Sequence, residues 1–183
     1  NATATDIITI TITGTNDTPV IEAVKVNAEI TGGSKLSDNG SIKFTDLDLT
    51  NRPTATEVTK SVTSTTTLTA AQQTAIENAF SIVNTAGNTN NGEVTWKYEI
   101  AENDINYLAT GETVTAVFTI TVNDAKGGTA SKDVTVIITG TNDVPTVSAE
   151  NIDVELPFGK DYVKDISNLF ADKDRTDTFR FEA

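Results

Sequence analysis

Acidic and amide side chains recur along this chain at one fixed spacing, and their types suit binding of a hard divalent cation. The phrase Thr-Gly-Thr-Asn-Asp ends first on Asn16 and Asp17 and then on Asn142 and Asp143, an offset of 126 residues (142 − 16 = 126). Each copy closes a run in which Ile or Val alternates with Thr. A phrase that repeats at a fixed period indicates a joint between two copies of one structural unit.

Two further acidic features keep the same offset. The pair Asp46 and Asp48 returns as Asp172 and Asp174, and a glutamate of the predicted first strand returns as well. Alternate residues of an extended strand point to one side, so both carboxylates of each Asp-x-Asp pair are expected to face one point. Ca²⁺ binds roughly six to eight oxygens, several of them from carboxylates. The predicted calcium ligands are Asn16, Asp17, Glu29, Asp46 and Asp48 at the first joint, and Asn142, Asp143, Glu155, Asp172 and Asp174 at the second.

A plainer interpretation treats the same residues as Asx turns and solvated loop ends. Several carboxylates gathered without a counterion would repel one another, so a cluster of this kind needs a cation. Because three separate features share one offset, the sequence favours calcium over simple turns. We expect the first joint to be the weaker site, because the body of the upstream unit is not part of the sequence.

Composition excludes several other classes of function. The chain has 26 acidic and 13 basic residues in 183, a net charge of −13, and no basic patch for nucleic acid or anionic lipid. It contains neither cysteine nor histidine, which removes disulfides, thiolate chemistry, imidazole bases and the usual zinc sites. No apolar run approaches the roughly 20 residues that span a bilayer, so direct membrane insertion is not expected. Any export signal is expected outside these residues.

The repeat divides the chain into three parts. Residues 1–17 are expected to be the last strand of an upstream repeat and its linker, and residues 18–143 one complete unit. Residues 144–183 would open a downstream unit, and a segment of roughly 40 residues rarely buries enough core to fold unaided. Period-two alternation predicts an all-β fold, with about seven strands in the complete unit. The predicted strands cover residues 8–12, 24–30, 42–44, 54–63, 94–100, 116–122, 134–138, 152–156 and 170–174.

One stretch departs from the strand period. Apolar residues from Leu68 onward fall at helical spacing, and Thr69 with Gln72 forms a capping box, which predicts a helix over about residues 69–80. The only tryptophan, Trp96, has apolar neighbours at i±2 on a predicted strand. Core packing is therefore the better interpretation of Trp96, although an exposed platform for stacking a sugar is the functional alternative.

An ordered series of motifs closely resembles the VCBS repeats of large bacterial surface proteins and RTX-type adhesins, which are cadherin-like. The resemblance covers roughly residues 5 to 145. The motifs are Asp46-Leu47-Asp48, Leu68-Thr69-Ala70-Ala71-Gln72, Gly92-Glu93-Val94-Thr95-Trp96-Lys97-Tyr98, Leu108-Ala109-Thr110-Gly111-Glu112, Val122-Asn123-Asp124-Ala125-Lys126-Gly127-Gly128 and Ile138-Thr139-Gly140-Thr141-Asn142-Asp143.

The resemblance implies a Greek-key β-sandwich of the cadherin/Ig type with one short inserted helix, in tandem with a partial second unit. It implies calcium between successive modules and adds Glu112, because the acidic turn of cadherin-like domains falls at residues 110–112. Thr110 replaces the first acid of that turn, which implies fewer or weaker ions per joint. It further implies a monomeric module whose partners are neighbouring repeats, export by type I secretion, and a role in attachment or biofilm at the bacterial cell surface.

Three functions are compatible with these features. The first is a non-enzymatic extender module, in which calcium stiffens the joints of a tandem β-sandwich stalk. The second is a Ca²⁺-dependent module that binds a glycan or peptide, which would need an exposed aromatic platform or an open coordination position. The third is a hydrolase that uses paired carboxylates, but the acids repeat with the fold period and so indicate joints. Asp124 and the cluster Glu102 to Asp104 are interpreted as solvated turns.

Overall fold

Two four-stranded sheets form the complete unit, and their alternating apolar residues pack between them. The computed structural model describes residues 3–85, 87–148, 158–159 and 169–178. One sheet has the strand order β1-β3-β6-β5 and the other β2-β8-β7-β4, with β2 parallel to β8 and all other pairs antiparallel. The predicted all-β sandwich with one inserted helix is confirmed.

The elements follow one another in chain order, with a 3-10 turn at Glu102–Asp104 between β6 and β7. They are β1 (Val20–Ala23), β2 (Asn27–Thr31), β3 (Ser37–Thr45), β4 (Thr54–Ser64), α1 (Ala70–Asn78), β5 (Phe80–Asn84), β6 (Gly92–Glu99), β7 (Thr113–Asn123), β8 (Thr129–Thr139), β9 (Thr146–Val147) and β10 (Phe170–Ala171).

Aromatic side chains dominate the core between the sheets. Trp96, Tyr98 and Phe118 are fully buried, and the rings of Phe80 and Phe118 stack with centroids 4.2 Å apart. The indole Nε1–H of Trp96 donates to the carbonyl of Lys25 at 2.7 Å, so its polar group is satisfied inside the fold. The core interpretation of Trp96 is confirmed, and its ring offers no surface to a sugar.

The predicted opening strand over residues 24–30 corresponds to β2, which begins only at Asn27, and a further strand, β1, precedes it. β1 pairs with β3 in one sheet, and after a bend β2 pairs with β8 in the other. The N–H of Lys25, within the bend, donates to Ser41 at 3.1 Å, and its carbonyl accepts the indole N–H of Trp96. Val24 keeps the alternation of β2 in the sequence but is 58% exposed, so the apolar pattern alone does not reveal that the chain changes sheets.

The helix is shorter than its apolar spacing predicts. The capping box of Thr69 and Gln72 is present and starts α1 as expected, but the helix ends at Asn78. Phe80 then begins β5, where it pairs with Tyr98 of β6 and stacks on Phe118. Phe80 lies at helical spacing from Ile76, but a strand that faces the same core can also bury its ring. In the structure Phe80 belongs to the strand.

Residues 3–19 carry the predicted upstream strand but pair with no strand in the described part of the chain. Ile8, Ile10 and Ile12 are 85%, 80% and 90% exposed. The residues 126 positions later are Val134, Val136 and Ile138, which are completely buried in β8. A strand forms only where neighbouring backbones accept its hydrogen bonds, and β8 has β7 and β2 on its two sides.

The start of the downstream unit repeats the start of the complete unit. Phe170 pairs with Val147 and Ala171 with Thr146, as Phe44 pairs with Ile21 and Thr45 with Val20. Each downstream residue lies 126 positions after its upstream counterpart. The predicted strand over residues 152–156 lies outside the described residues, and the division of the chain at residues 17 and 143 stays a prediction.

Candidate metal centres at the two joints

The linker of the first joint is tied to the complete unit by two carboxylates. The backbone N–H of Asp17 donates to Asp48 Oδ2 at 2.8 Å. The amide Nδ2 of Asn16 donates to Asp124 Oδ2 at 2.8 Å and to the carbonyl of Asp17 at 3.0 Å. The repeated phrase is thus held against the Asp-x-Asp loop on one side and the β7–β8 hairpin on the other.

The first Asp-x-Asp pair lies in a turn and not on an extended strand. β3 ends at Thr45, and the N–H of Asp48 then donates to Asp46 Oδ1 at 2.8 Å. The expectation that strand alternation orients the pair was therefore wrong, because Asp46 forms an Asx turn after the strand has ended. Asp46 is only 4% exposed, and its Oδ2 is buried with no hydrogen-bond partner. A buried carboxylate oxygen without a partner is costly, which makes this atom the strongest local indication of a cation site.

Two residues that sequence reasoning left out complete the first joint. Asn51 is 4% exposed, and its Nδ2 lies 3.3 Å from Asn16 Oδ1 and 3.4 Å from Asp48 Oδ2. Asp124 is 1% exposed and so is not the solvated turn residue that was predicted. The strand order could have indicated that Asp124 lies at the first joint. β8 ends at the second joint, so the β7–β8 hairpin, which contains Asp124, must lie at the opposite end of the unit.

The environment of Asp124 favours its ionised form. The hydrogen bond from Asn16, helped by the backbone N–H groups of Lys126 and Gly128 at 2.7 and 2.9 Å, holds the pKa of Asp124 below its usual value. Its Oδ2 points toward the linker amide of Asn16. A carboxylate that remains ionised beside the joint is a suitable calcium ligand.

The second joint repeats the hydrogen bonds of the first at the same offset. The N–H of Asp143 donates to Asp174 Oδ2 at 2.7 Å, and the N–H of Asp174 donates to Asp172 Oδ1 at 3.0 Å. Asn142 Nδ2 donates to the carbonyl of Asp143 at 2.6 Å, as Asn16 does in the first joint. The shared offset therefore reflects one local structure built twice.

Charge is more concentrated at the second joint. Carboxylate oxygens of Asp172, Asp174 and Asp177 lie within 4.8 Å of one another. Asp174 is 2% exposed, and its Oδ1 is buried without a partner. Burial, together with the negative charges of Asp172, Asp177 and Asp143, raises the pKa of Asp174 above its usual value. Lys173 Nζ, 3.5 Å from Asp143 Oδ1, offsets part of this repulsion.

Asp177 is the second-joint counterpart of Asn51 (177 − 51 = 126). The N–H of Asp177 donates to the carbonyl of Asp174 at 3.1 Å, and the N–H of Asn51 donates to that of Asp48 at 2.9 Å. The backbone is therefore alike at the two positions, and an amide in the first joint replaces a carboxylate in the second. This difference agrees with the prediction that the first joint is the weaker site, which stays a prediction.

The predicted glutamates do not join these clusters in the described structure. Glu29 is exposed and pairs in register with Ile137, on the half of β8 that leads to the second joint, so it lies apart from Asp46 and Asp48. The side chain of Glu112 accepts the N–H of Ala109 at 3.1 Å within a turn. The backbone carbonyl of Glu112 accepts the N–H of Gly140. Glu155 lies outside the described residues. Their roles as ligands stay predictions.

Comparisons with known proteins give only distant likeness. No family model and no curated protein matches the chain. Among solved structures, cadherin-like domains 1 to 4 of zebrafish RET align at 17% identity and a TM-score of 0.39, over 69% of this chain and 27% of that one. The PapD-like domain 7 of human CEP192 aligns at 5% identity and a TM-score of 0.39, over 76% of this chain and 96% of that one. AggA, the major subunit of aggregative adherence fimbriae type I of Escherichia coli, aligns at 13% identity and a TM-score of 0.38. That alignment covers 70% of this chain and 98% of AggA.

The chain thus spans about a quarter of the RET structure and nearly all of the other two. These values are too low to identify a family. No helix in the described part of the chain has the length and apolar character needed to cross a membrane.

Proposed function

We propose that this chain is an extender module of a bacterial surface adhesin, in which Ca²⁺ at each joint holds successive β-sandwiches in line. The observation that carries the proposal is the hydrogen-bonded arrangement of acidic residues that the second joint repeats from the first. Both joints hold the linker Asp, the Asp-x-Asp pair and the residue at 51 or 177 in one hydrogen-bonded arrangement. Both contain a buried carboxylate oxygen with no partner, Oδ2 of Asp46 and Oδ1 of Asp174.

The donor set fits calcium. It consists of carboxylate, amide and backbone oxygens without nitrogen or sulfur ligands, which is the set that a hard cation prefers. At the first joint the ion would be held by carboxylates of Asp46, Asp48 and Asp124, with Asn16 and Asn51 beside them. At the second it would be held by Asp172, Asp174 and Asp177, with Asn142 and Asp143 from the linker.

The ion would act mechanically. The linker of each joint already contacts the Asp-x-Asp loop through a backbone N–H, from Asp17 or Asp143. A cation that also draws in linker oxygens would fix the angle between units. Extracellular modules of this kind bind calcium with Kd values of order 10⁻⁴ to 10⁻³ M, so the sites would fill outside the cell and be nearly empty inside. A chain could then be secreted flexible and stiffen outside.

The wider biological assignment rests on resemblance to VCBS repeats. It places the module in an extracellular stalk at the bacterial cell surface, exported by type I secretion and serving attachment or biofilm. Its partners would be neighbouring repeats of the same polypeptide, and it would otherwise be monomeric. Within the complete unit, Asp48 and Asp124 lie where the first linker enters the sandwich, which supports a role at the joint.

Small-angle scattering of the full chain tests the mechanical claim. We expect calcium to narrow the distribution of shapes and to change the maximum dimension, because the second joint would no longer bend freely. The paired substitution Asp172→Asn with Asp174→Asn should give the calcium-free profile even at saturating calcium, and Asp6→Asn is the matched control. Identical profiles and identical melting temperatures in calcium and in EDTA would exclude the proposal.

Exchange of the amide at position 51 and the carboxylate at position 177 should change the calcium affinities of the two joints in opposite directions. Asn51→Asp adds a carboxylate to the first joint, and we expect its calcium Kd to fall about tenfold, equivalent to roughly 1.4 kcal/mol. Asp177→Asn should weaken the second joint by a similar factor. Calcium titration calorimetry measures both. If Asn51→Asp leaves every calcium affinity unchanged, Asn51 does not lie in a metal site.

A further inference from the structure

One side chain of the downstream unit contacts the complete unit without involving the carboxylates. Arg175 Nη1 donates to the carbonyl of Thr67 at 2.8 Å, and Nη2 lies 3.4 Å from Gln72 Oε1. Its guanidinium carbon is 5.6 Å from the centroid of the Tyr107 ring. Thr67, Gln72 and Tyr107 form the helical end of the unit, since Thr67 precedes α1 and Gln72 lies in its first turn.

The side chains of the helical end are held in fixed positions. Gln72 Oε1 already accepts the N–H of Thr69 at 2.9 Å in the capping box, which fixes the position of the amide. Tyr107 is only 6% exposed, so its ring cannot turn freely. Burial raises the pKa of the Tyr107 hydroxyl, while the nearby charge of Arg175 lowers it. A cation over an aromatic face is favourable, and Arg175 thus adds a second attachment across the joint.

The repeat identifies the residue that is equivalent to Arg175 at the first joint. Leu49 is the counterpart of Arg175 (175 − 49 = 126), and it is 77% exposed. Leu47 and Val20 beside it are 79% and 64% exposed. The three line a cleft of about 590 Å³ together with Asp46 and Asn90. Exposed apolar side chains grouped in this way indicate a surface that another molecule covers.

We propose that Val20, Leu47 and Leu49, the N-terminal apolar face, dock on the helical end of the repeat that precedes this unit. The occupant follows from the chain itself, because Arg175, the counterpart of Leu49 in the next unit, already lies on Thr67, Gln72 and Tyr107. The ring of Tyr107 suits either side chain, since an aromatic face packs against an aliphatic group and also attracts a guanidinium. The inference shares the end-to-end arrangement with the proposed function, but it does not require calcium.

The contact at the second joint can be measured in the full chain by cross-linking. The protein has no cysteine, so Thr67→Cys with Thr176→Cys introduces the only thiol pair while leaving Arg175 and the Thr67 carbonyl in place. A short bismaleimide should join this pair at least five times faster than the control pair Lys132→Cys with Thr176→Cys. Arg175→Ala should slow the reaction of the first pair several-fold. Equal rates for the two pairs, or no effect of Arg175→Ala, would overturn the contact.

The N-terminal apolar face requires a protein with a preceding repeat, made by joining residues 1–143 to residues 18–183 of a second copy. Thr67→Cys in the first copy and Thr50→Cys in the second form the equivalent reporter pair, because 176 − 126 = 50. We expect Leu49→Ser in the second copy to slow cross-linking at least threefold. Val58→Ser, which alters a residue 60% exposed on β4, should have no effect.

Calcium titration of the same proteins separates the two proposals. If Leu49→Ser leaves cross-linking unchanged while calcium binds normally, docking of the N-terminal apolar face is wrong and the extender proposal stands. If cross-linking depends on Leu49 but calcium neither binds nor alters the scattering profile, docking stands and the calcium proposal is wrong.

Discussion

Calcium is expected to raise the melting temperature of the wild-type chain, and Asp46→Asn is expected to abolish the part of that response that arises at the first joint. An ion that binds only the folded state stabilises it by about 2.7 kcal/mol at a concentration one hundred times Kd. For a unit of this size that corresponds to a shift on the order of 10 °C. Asp46 is the residue to change because its Oδ2 is buried and has no hydrogen-bond partner.

Without calcium, Asp46→Asn should not lower the melting temperature. In EDTA, Asp46→Asn removes a buried negative charge beside Asp48, so we expect a melting temperature equal to or above that of the wild type. The melting curves of the two proteins should therefore cross as calcium is added. Asp6→Asn, an exposed change of the same kind, should follow the wild type throughout. A variant that is less stable than the wild type by the same amount in EDTA and in calcium would show that Asp46 is only structural.

Gly140→Ala is expected to destabilise the complete unit by roughly 3 kcal/mol, and Gly14→Ala to have almost no effect in this chain. These are the two copies of the glycine in the repeated phrase. A Cβ on Gly140 would lie 2.2 Å from the carbonyl oxygen of Leu108 and 2.4 Å from that of Ala109, both backbone atoms that cannot turn away. A Cβ on Gly14 meets nothing within 4 Å.

Chemical denaturation measures this difference, and the tandem protein described above extends it. There the glycine at the end of the first copy precedes a complete unit, so its substitution should destabilise the first unit and weaken calcium binding at the joint. Equal stabilities for Gly140→Ala and Gly14→Ala in the single chain would contradict the close approach of Gly140 to the loop at Leu108.

The period of the apolar pattern predicted most of the sandwich, because strands buried on one face must alternate. β6, β7 and β8, and the capping box at Thr69, follow directly from the sequence. The pattern could not show that a separate strand, β1, precedes β2 in the other sheet, because Val24 continues the alternation of β2 although it is exposed. Nor could it assign Phe80 to β5, since one apolar side chain satisfies helical spacing and a sheet position equally well.

The candidate sites were predicted in part for a related reason. The fixed offset identified Asp46, Asp48, Asp172 and Asp174 as acidic pairs without any knowledge of the fold. Asp124 escaped detection because its burial depends on the β7–β8 hairpin meeting the linker, a contact between residues 108 positions apart. The place of Glu29 depends on the parallel pairing of β2 with β8, which alternation does not predict.

Anomalous scattering from a crystal of the full chain grown with calcium tests the central claim most directly. The account predicts a calcium peak at each joint, at roughly 2.3–2.6 Å from Oδ2 of Asp46 and from Oδ1 of Asp174. Further oxygens at each peak should come from Asp48 and Asp124 at the first joint and from Asp172 and Asp177 at the second. Calcium found only elsewhere, with both of these carboxylate oxygens bonded to water or protein, would contradict it.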